Sequence, residues 1–151
     1  LETLSLRIRQ QSLNALRVAK YLSLHRDVQV VYYPGTERQE NHGVRLTMGY
    51  GCLVSFVLQE ESRASADRFL PLLGLFTPAQ DMGGTRSLVR CIEMPVPAPG
   101  ETKTAEGSCS SYLIQLSVGL EEAMDLIRDL DQALLRLKEN FPNKTEKERI
   151  L

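Results

Sequence analysis

Apolar residues recur at helical spacing near the start of the chain. Leu6, Leu13, Leu16, Ala19 and Leu22 with Tyr21 share one face, while Arg7, Arg9, Gln10, Arg17 and Lys20 fall on the other. This pattern predicts a helix of about six turns over residues 4–24. Thr3 is the expected N-cap, and the polar run His25-Arg-Asp27 ends the pattern. The period then changes to that of strands. Residues 28–33 are β-branched and aromatic and are stopped by Pro34-Gly35, which predicts a strand. Residues 36–47 are polar and read as a loop with a short helical turn. Residues 51–58 are apolar almost throughout, which predicts a central strand covered on both faces.

Residues 60–73 predict a helix packing Ala64, Phe69, Leu70 and Leu73, weakened near its end by Pro71. Leu75-Phe-Thr77 reads as a short strand, residues 81–85 as a glycine loop and residues 87–92 as another strand. Pro95, Pro97, Pro99 and Gly100 open an irregular stretch reaching about Ser111. A strand over 113–118 and a helix over 121–139 follow. Glu121 and Glu122 suit that helix's positive start, and Arg136 and Lys138 its negative end. Residues 141–151 read as a charged tail. The order implies an α+β fold, a mainly antiparallel sheet with helices on one face.

At 151 residues the chain fits one domain, and 42% hydrophobic with 25% charged residues is an ordinary soluble composition. A formal charge of -1 gives no reason to expect nucleic acid or an anionic membrane as partner. No apolar run approaches the roughly 20 residues of a membrane span. The first residue is Leu1 rather than Met, which suggests a fragment or an excised domain. Cys52, Cys91 and Cys109 are odd in number and far apart, which fits a reducing cytosol better than a disulfide framework. His25 and His42 are isolated and no two cysteines have a metal-ligand spacing, so no metal site is expected.

Several blocks carry chemistry only together. They are Thr3-Leu-Ser-Leu-Arg-Ile-Arg9 with Asn14-Ala15, then Val31-Tyr-Tyr-Pro-Gly35, then Gly51-Cys-Leu-Val-Ser-Phe56. Leu75-Phe-Thr77 with Gly83-Gly84 and Ser87-Leu88 follows, and the series closes on Tyr112-Leu-Ile-Gln-Leu-Ser-Val-Gly-Leu-Glu121. In this order the chain resembles the C-terminal domain of the pyridoxal-phosphate enzymes of cysteine and methionine metabolism, the cystathionine γ-synthases, cystathionine lyases and methionine γ-lyases. The resemblance implies the small domain of a fold-type I enzyme over residues 1–140, with 141–151 as a tail and the N-terminal cofactor domain absent. It implies a lyase or transferase of sulfur amino acids or activated homoserine, built as an oligomer. The partners would be its own cofactor domain or homologous subunits.

The resemblance also marks departures. Gln115 stands where the family usually has an arginine that grips the substrate carboxylate. Asp81 stands where a serine helps hold the same group, and Pro95-Val-Pro-Ala98 replaces a threonine-histidine-alanine-serine segment. None of Lys20, Lys103, Lys138, Lys144 and Lys147 lies in a serine-x-threonine-lysine cofactor motif. No catalytic or cofactor-binding residue is therefore expected in the chain itself, and by itself it should be inactive. Arg86 and Arg90 flank the glycine loop. Either could replace the lost arginine, although pairing with Asp81 or solvent is the plainer expectation. Gly83-Gly84 could cradle an anion or simply make a tight turn. Two readings stay open: a pocket retuned within an enzyme, and a degenerate homologue that scaffolds or regulates an active paralogue.

Overall fold

The computed structural model describes residues 2–36, 49–95 and 110–140. The loop expected over 36–47 lies largely outside them, as do Cys109, the segment 96–98 and the tail 141–151. The first helix, α1 (Leu4–Ser23), has the expected length but buries a different face. Leu6 and Leu13 are exposed, whereas Gln11, Ser12 and Asn14 are buried with Ala15, Val18, Ala19 and Leu22. The spacing of leucines missed this because buried polar side chains count as core once their groups find partners. Thr3 makes no side-chain capping bond.

β1 (Val28–Tyr32), β2 (Leu53–Leu58), β3 (Thr77–Pro78), β4 (Leu88–Pro95) and β5 (Ser110–Ser117) form one sheet in the order β1-β2-β5-β4-β3. Three pairings are antiparallel, and the short edge strand β3 runs parallel to β4. β2 is an interior strand, buried from Val54 to Leu58, although helices cover one of its faces and not both as its apolar run predicts. β4 and β5 reach further than their sequence patterns suggest, meeting at Pro95 and Ser110. The helix expected over 60–73 is shorter. Ser62 caps α2 (Arg63–Phe69) by accepting from the Ser65 N–H at 3.1 Å, and Pro71 sits in a 3-10 turn over Leu70–Leu72. Ala64 is exposed, while Ser65, Ala66 and Phe69 are buried. The last helix, α3, is Ala123–Asn140.

Alternation along strands separates the two faces of the sheet. Val54, Phe56, Leu58, Val89, Ile114 and Leu116 join one core with Val18, Leu22, Phe69, Leu126, Leu130 and Leu134 from the helices. Phe56 and Phe69 meet edge to face at 6.0 Å. All three helices thus cover one face, and the intervening strand residues line the other. On that open face Tyr32, Leu53 and Met94 are 52, 44 and 47% exposed.

Candidate functional site

The register places four polar side chains in a row across the open face. Tyr32 pairs with Ser55, Ser55 with Gln115, and Gln115 with Arg90. Directly paired residues in antiparallel strands project to the same side, close enough to touch. The Arg90 guanidinium donates from Nε and Nη2 to Gln115 Oε1, at 2.9 and 2.7 Å. A guanidinium cannot accept, so Gln115 must turn its oxygen toward Arg90 and its Nε2 toward Ser55 Oγ, 3.4 Å away. Arg90 Nη1 donates to the Gln80 carbonyl at 3.0 Å, tying the row to the start of the glycine loop.

That loop is held from several sides. Gly83 adopts φ +101°, a conformation that favours glycine, and its N–H donates to the buried Ser117 Oγ at 3.0 Å. The Gly84 carbonyl accepts from Gln11 Nε2 of α1 at 2.6 Å. Ser87, at the loop's far end, donates its N–H and hydroxyl to the two oxygens of Glu121, at 2.7 and 2.9 Å. Its hydroxyl also accepts from the Gly119 N–H at 2.9 Å. A Cβ on Gly119 would lie 2.5 Å from the Thr85 carbonyl and 2.7 Å from Arg86 C, and would also strike Glu121 Oε2. Asn14 Nδ2 donates to the carbonyls of Gly119 and Glu121 at 3.2 and 2.8 Å. The motif ending Ser117-Val-Gly-Leu-Glu121 is therefore a bracket that seats the glycine loop at one end of the open face.

Of the residues singled out in the sequence, Gln115 and Arg90 are brought together. Arg90 is half-buried and donates to the neutral Gln115 and Gln80 oxygens rather than to Asp81. Asp81 and Arg86 are exposed, and neither forms an ion pair among the described residues. The Gly83 N–H is already bonded, which favours the tight turn over the anion cradle. Ser55, Ser117 and Gln11 were not singled out as site residues, and Ser87 and Glu121 were named only as parts of motifs and, for Glu121, as a helix start. Polar residues at alternate positions of an otherwise apolar strand, Gln115 and Ser117, were the available signal.

A second polar cluster fixes the helix layer. The buried Asp129 accepts from the N–H groups of Gly74 and Leu75, both at 2.8 Å, and so secures the approach to β3. Burial and a 2.5 Å bond to Asp131 raise the Tyr21 phenol well above its ordinary range. Cys52 and Cys91 are free thiols, and burial also raises the Cys91 thiol. Among the described residues, no group of His, Cys, Asp and Glu is placed to hold a metal ion, and no helix is long and apolar enough to cross a membrane.

This sheet with helices on one face matches part of the fold of pyridoxal-phosphate-dependent lyases. The crystal structure of an apo methionine γ-lyase from Micromonospora echinospora superposes with a TM-score of 0.69 at 35% identity, covering 89% of this chain and 34% of that one. A putative O-acetylhomoserine (thiol)-lyase from Campylobacter jejuni, crystallised with a pyridoxyl-lysine phosphate, superposes with a TM-score of 0.67 at 33% identity, covering 89% and 30%. The family of Cys/Met metabolism PLP-dependent enzymes matches residues 1–135, and the chain belongs to it. It is 36% identical over 140 residues to a cystathionine γ-lyase from Bacillus subtilis, and 33% identical over 138 residues to a cystathionine β-lyase from Lactococcus lactis. It spans 36% of the length of each of these relatives.

The described residues do not fit a pyridoxal site. A Schiff base needs a lysine amine. Lys20 and Lys138, the two lysines among the described residues, lie in the last turns of α1 and α3, on the layer that covers the opposite face. The open-face row offers hydrogen bonds and one positive charge, which suit a ligand's polar groups.

Proposed function

We propose that this chain is the substrate-side C-terminal domain, residues 1–140, of a pyridoxal-phosphate-dependent lyase or transferase acting on sulfur amino acids or activated homoserine. The cofactor and its lysine belong to an N-terminal domain outside this chain, and the domain alone is inactive. When bound there, the cofactor supplies an electron sink for breaking or exchanging a bond in the side chain of the amino acid. This domain contributes a wall that orients the substrate. The observation that carries the reading is the row Ser55–Gln115–Arg90, on the sheet face that the domain's own helices leave open.

The exposed Tyr32, Leu53 and Met94 on that face suit a covering partner, either the cofactor domain or a homologous subunit in a homo-oligomer. Free, widely separated cysteines suit a cytosolic protein. Arg90 favours a working pocket over a degenerate scaffold, because among the described residues no carboxylate neutralises its charge, which stays available to a ligand.

Expression of the complete natural reading frame tests the proposal. The expected result is a visible absorption band from lysine-bound cofactor, with thiol or keto-acid release from cystathionine, methionine or an O-acylated homoserine. A full-length protein with neither band nor turnover, recovered bound to an active paralogue, would instead establish a scaffold.

A further inference from the structure

We infer that Arg90 is the anion contact of the open face and selects ligands bearing a carboxylate, with Gln115 as its positioning residue. A guanidinium carries five N–H donors and no acceptor. Gln115 Oε1 takes two of them, at 2.9 and 2.7 Å, and the Gln80 carbonyl a third, at 3.0 Å. One N–H is left on each terminal nitrogen, and such a pair matches the two oxygens of a carboxylate.

Among the described residues the charge is also uncompensated. Every acceptor on Arg90 is neutral, and among the described residues no carboxylate lies within ion-pair distance of it. A half-buried cation without a counter-charge is unfavourable unless something else supplies the charge. The helix-covered face of the sheet cannot do so, because it is packed with apolar side chains. The open face can.

A single planar cation favours a carboxylate over a phosphate. A phosphate dianion calls for several converging donors. The nearest glycine loop has already committed its Gly83 N–H to Ser117 Oγ, at 3.0 Å. Gln115 acts through Arg90: oriented by Ser55, it fixes the guanidinium plane, and its own oxygen is fully engaged.

The inference deepens the proposed function by naming the group recognised, and relies on it only for which ligands reach the face. The test compares equilibrium binding of L-methionine and of L-methioninol, which lacks the carboxylate, to the full-length protein by calorimetry. Arg90→Ala is expected to weaken L-methionine binding about tenfold, the scale of about 1.4 kcal/mol, and to leave L-methioninol unchanged. Arg90→Lys should recover part of the loss, because it restores the charge without the fork. Gln115→Ala should weaken L-methionine by a smaller factor and narrow the gap between the arginine and lysine forms. Arg86→Ala should do nothing.

Equal binding of the two probes by the unaltered protein overturns the inference. So does an Arg90→Ala protein that binds L-methionine undiminished, or that loses both probes alike. The cofactor band separates the two claims. A protein with the band but no dependence on Arg90 keeps the proposed function and sinks this inference. A protein without the band that still prefers L-methionine through Arg90 does the reverse.

Discussion

Glu121 grips Ser87 with both carboxylate oxygens, one on the backbone N–H at 2.7 Å and one on the hydroxyl at 2.9 Å. The two residues lie on opposite sides of the junction between the glycine loop and α3, so this pair fixes where the loop enters β4. Hydrogen bonds to a charged group contribute about 1.5–3 kcal/mol each, and losing an acceptor strands its buried donor. Glu121→Ala should therefore lower stability by about 3 kcal/mol in urea unfolding. Glu121→Gln keeps one acceptor oxygen and should lose roughly half as much. Wild-type stability in the alanine variant would show that the bracket is not a stabilising element.

Gly119→Ala tests close approach at the same junction. Its Cβ would be driven against the Thr85 carbonyl at 2.5 Å, a backbone atom that cannot rotate away. Overpacking of this kind costs about 1–3 kcal/mol. The strain falls on the strap holding the glycine loop, so amide exchange at Gly83, bonded to Ser117, should speed up more than exchange in β2. Uniform acceleration across the sheet would contradict that local reading.

Arg90 and Gln115 also predict the outcome of placing an arginine at residue 115. Gln115→Arg alone puts two guanidinium groups opposite each other on β4 and β5. Like charges so placed destabilise by about 0.2–1 kcal/mol, and the penalty should shrink as salt is added. Exchanging both, Arg90→Gln with Gln115→Arg, should recover most of the loss. Denaturation midpoints of the four proteins at low and high salt form the cycle. Strict additivity of the two single changes would mean that the pair is not coupled.

Tyr33 sets an alkaline limit. Burial, and then the neighbouring Cys52 and Tyr50, push its phenol up from 10.0 to about 12. Its hydroxyl donates toward the carbonyls of Gly51 and Ser12, at 3.0 and 3.3 Å, and so favours the protonated form. The unfolded chain ionises first. Stability is full below about pH 10 and falls as the pH rises to about 12. Tyr33→Phe should be less stable at neutral pH through the lost bonds, yet show a shallower decline over that window. Parallel pH profiles for the two proteins would exclude Tyr33 as the source of the slope.

Much of the fold was legible because it is local. The change from helical to strand spacing near Val28, the apolar run into β2 and the proline at 71 each act within a few residues. The resemblance lay in ordered blocks that include the close-packed Gly119 and the Gly83 turn. The buried face of α1 was not legible. Gln11, Ser12 and Asn14 look like surface residues until Gly84, Gly51, Gly119 and Glu121 bring partners to them from 39 to 107 residues away.

The same division holds at the site. The amino-acid order alone determined that residue 115 is glutamine, that residue 90 is arginine, and that both lie in strand-forming segments. Only the tertiary structure decided that they face each other, because antiparallel register is set by pairing between segments distant in the chain. That register turns two polar residues into a cation fixed on the sheet face opposite the helices, with no carboxylate partner among the described residues.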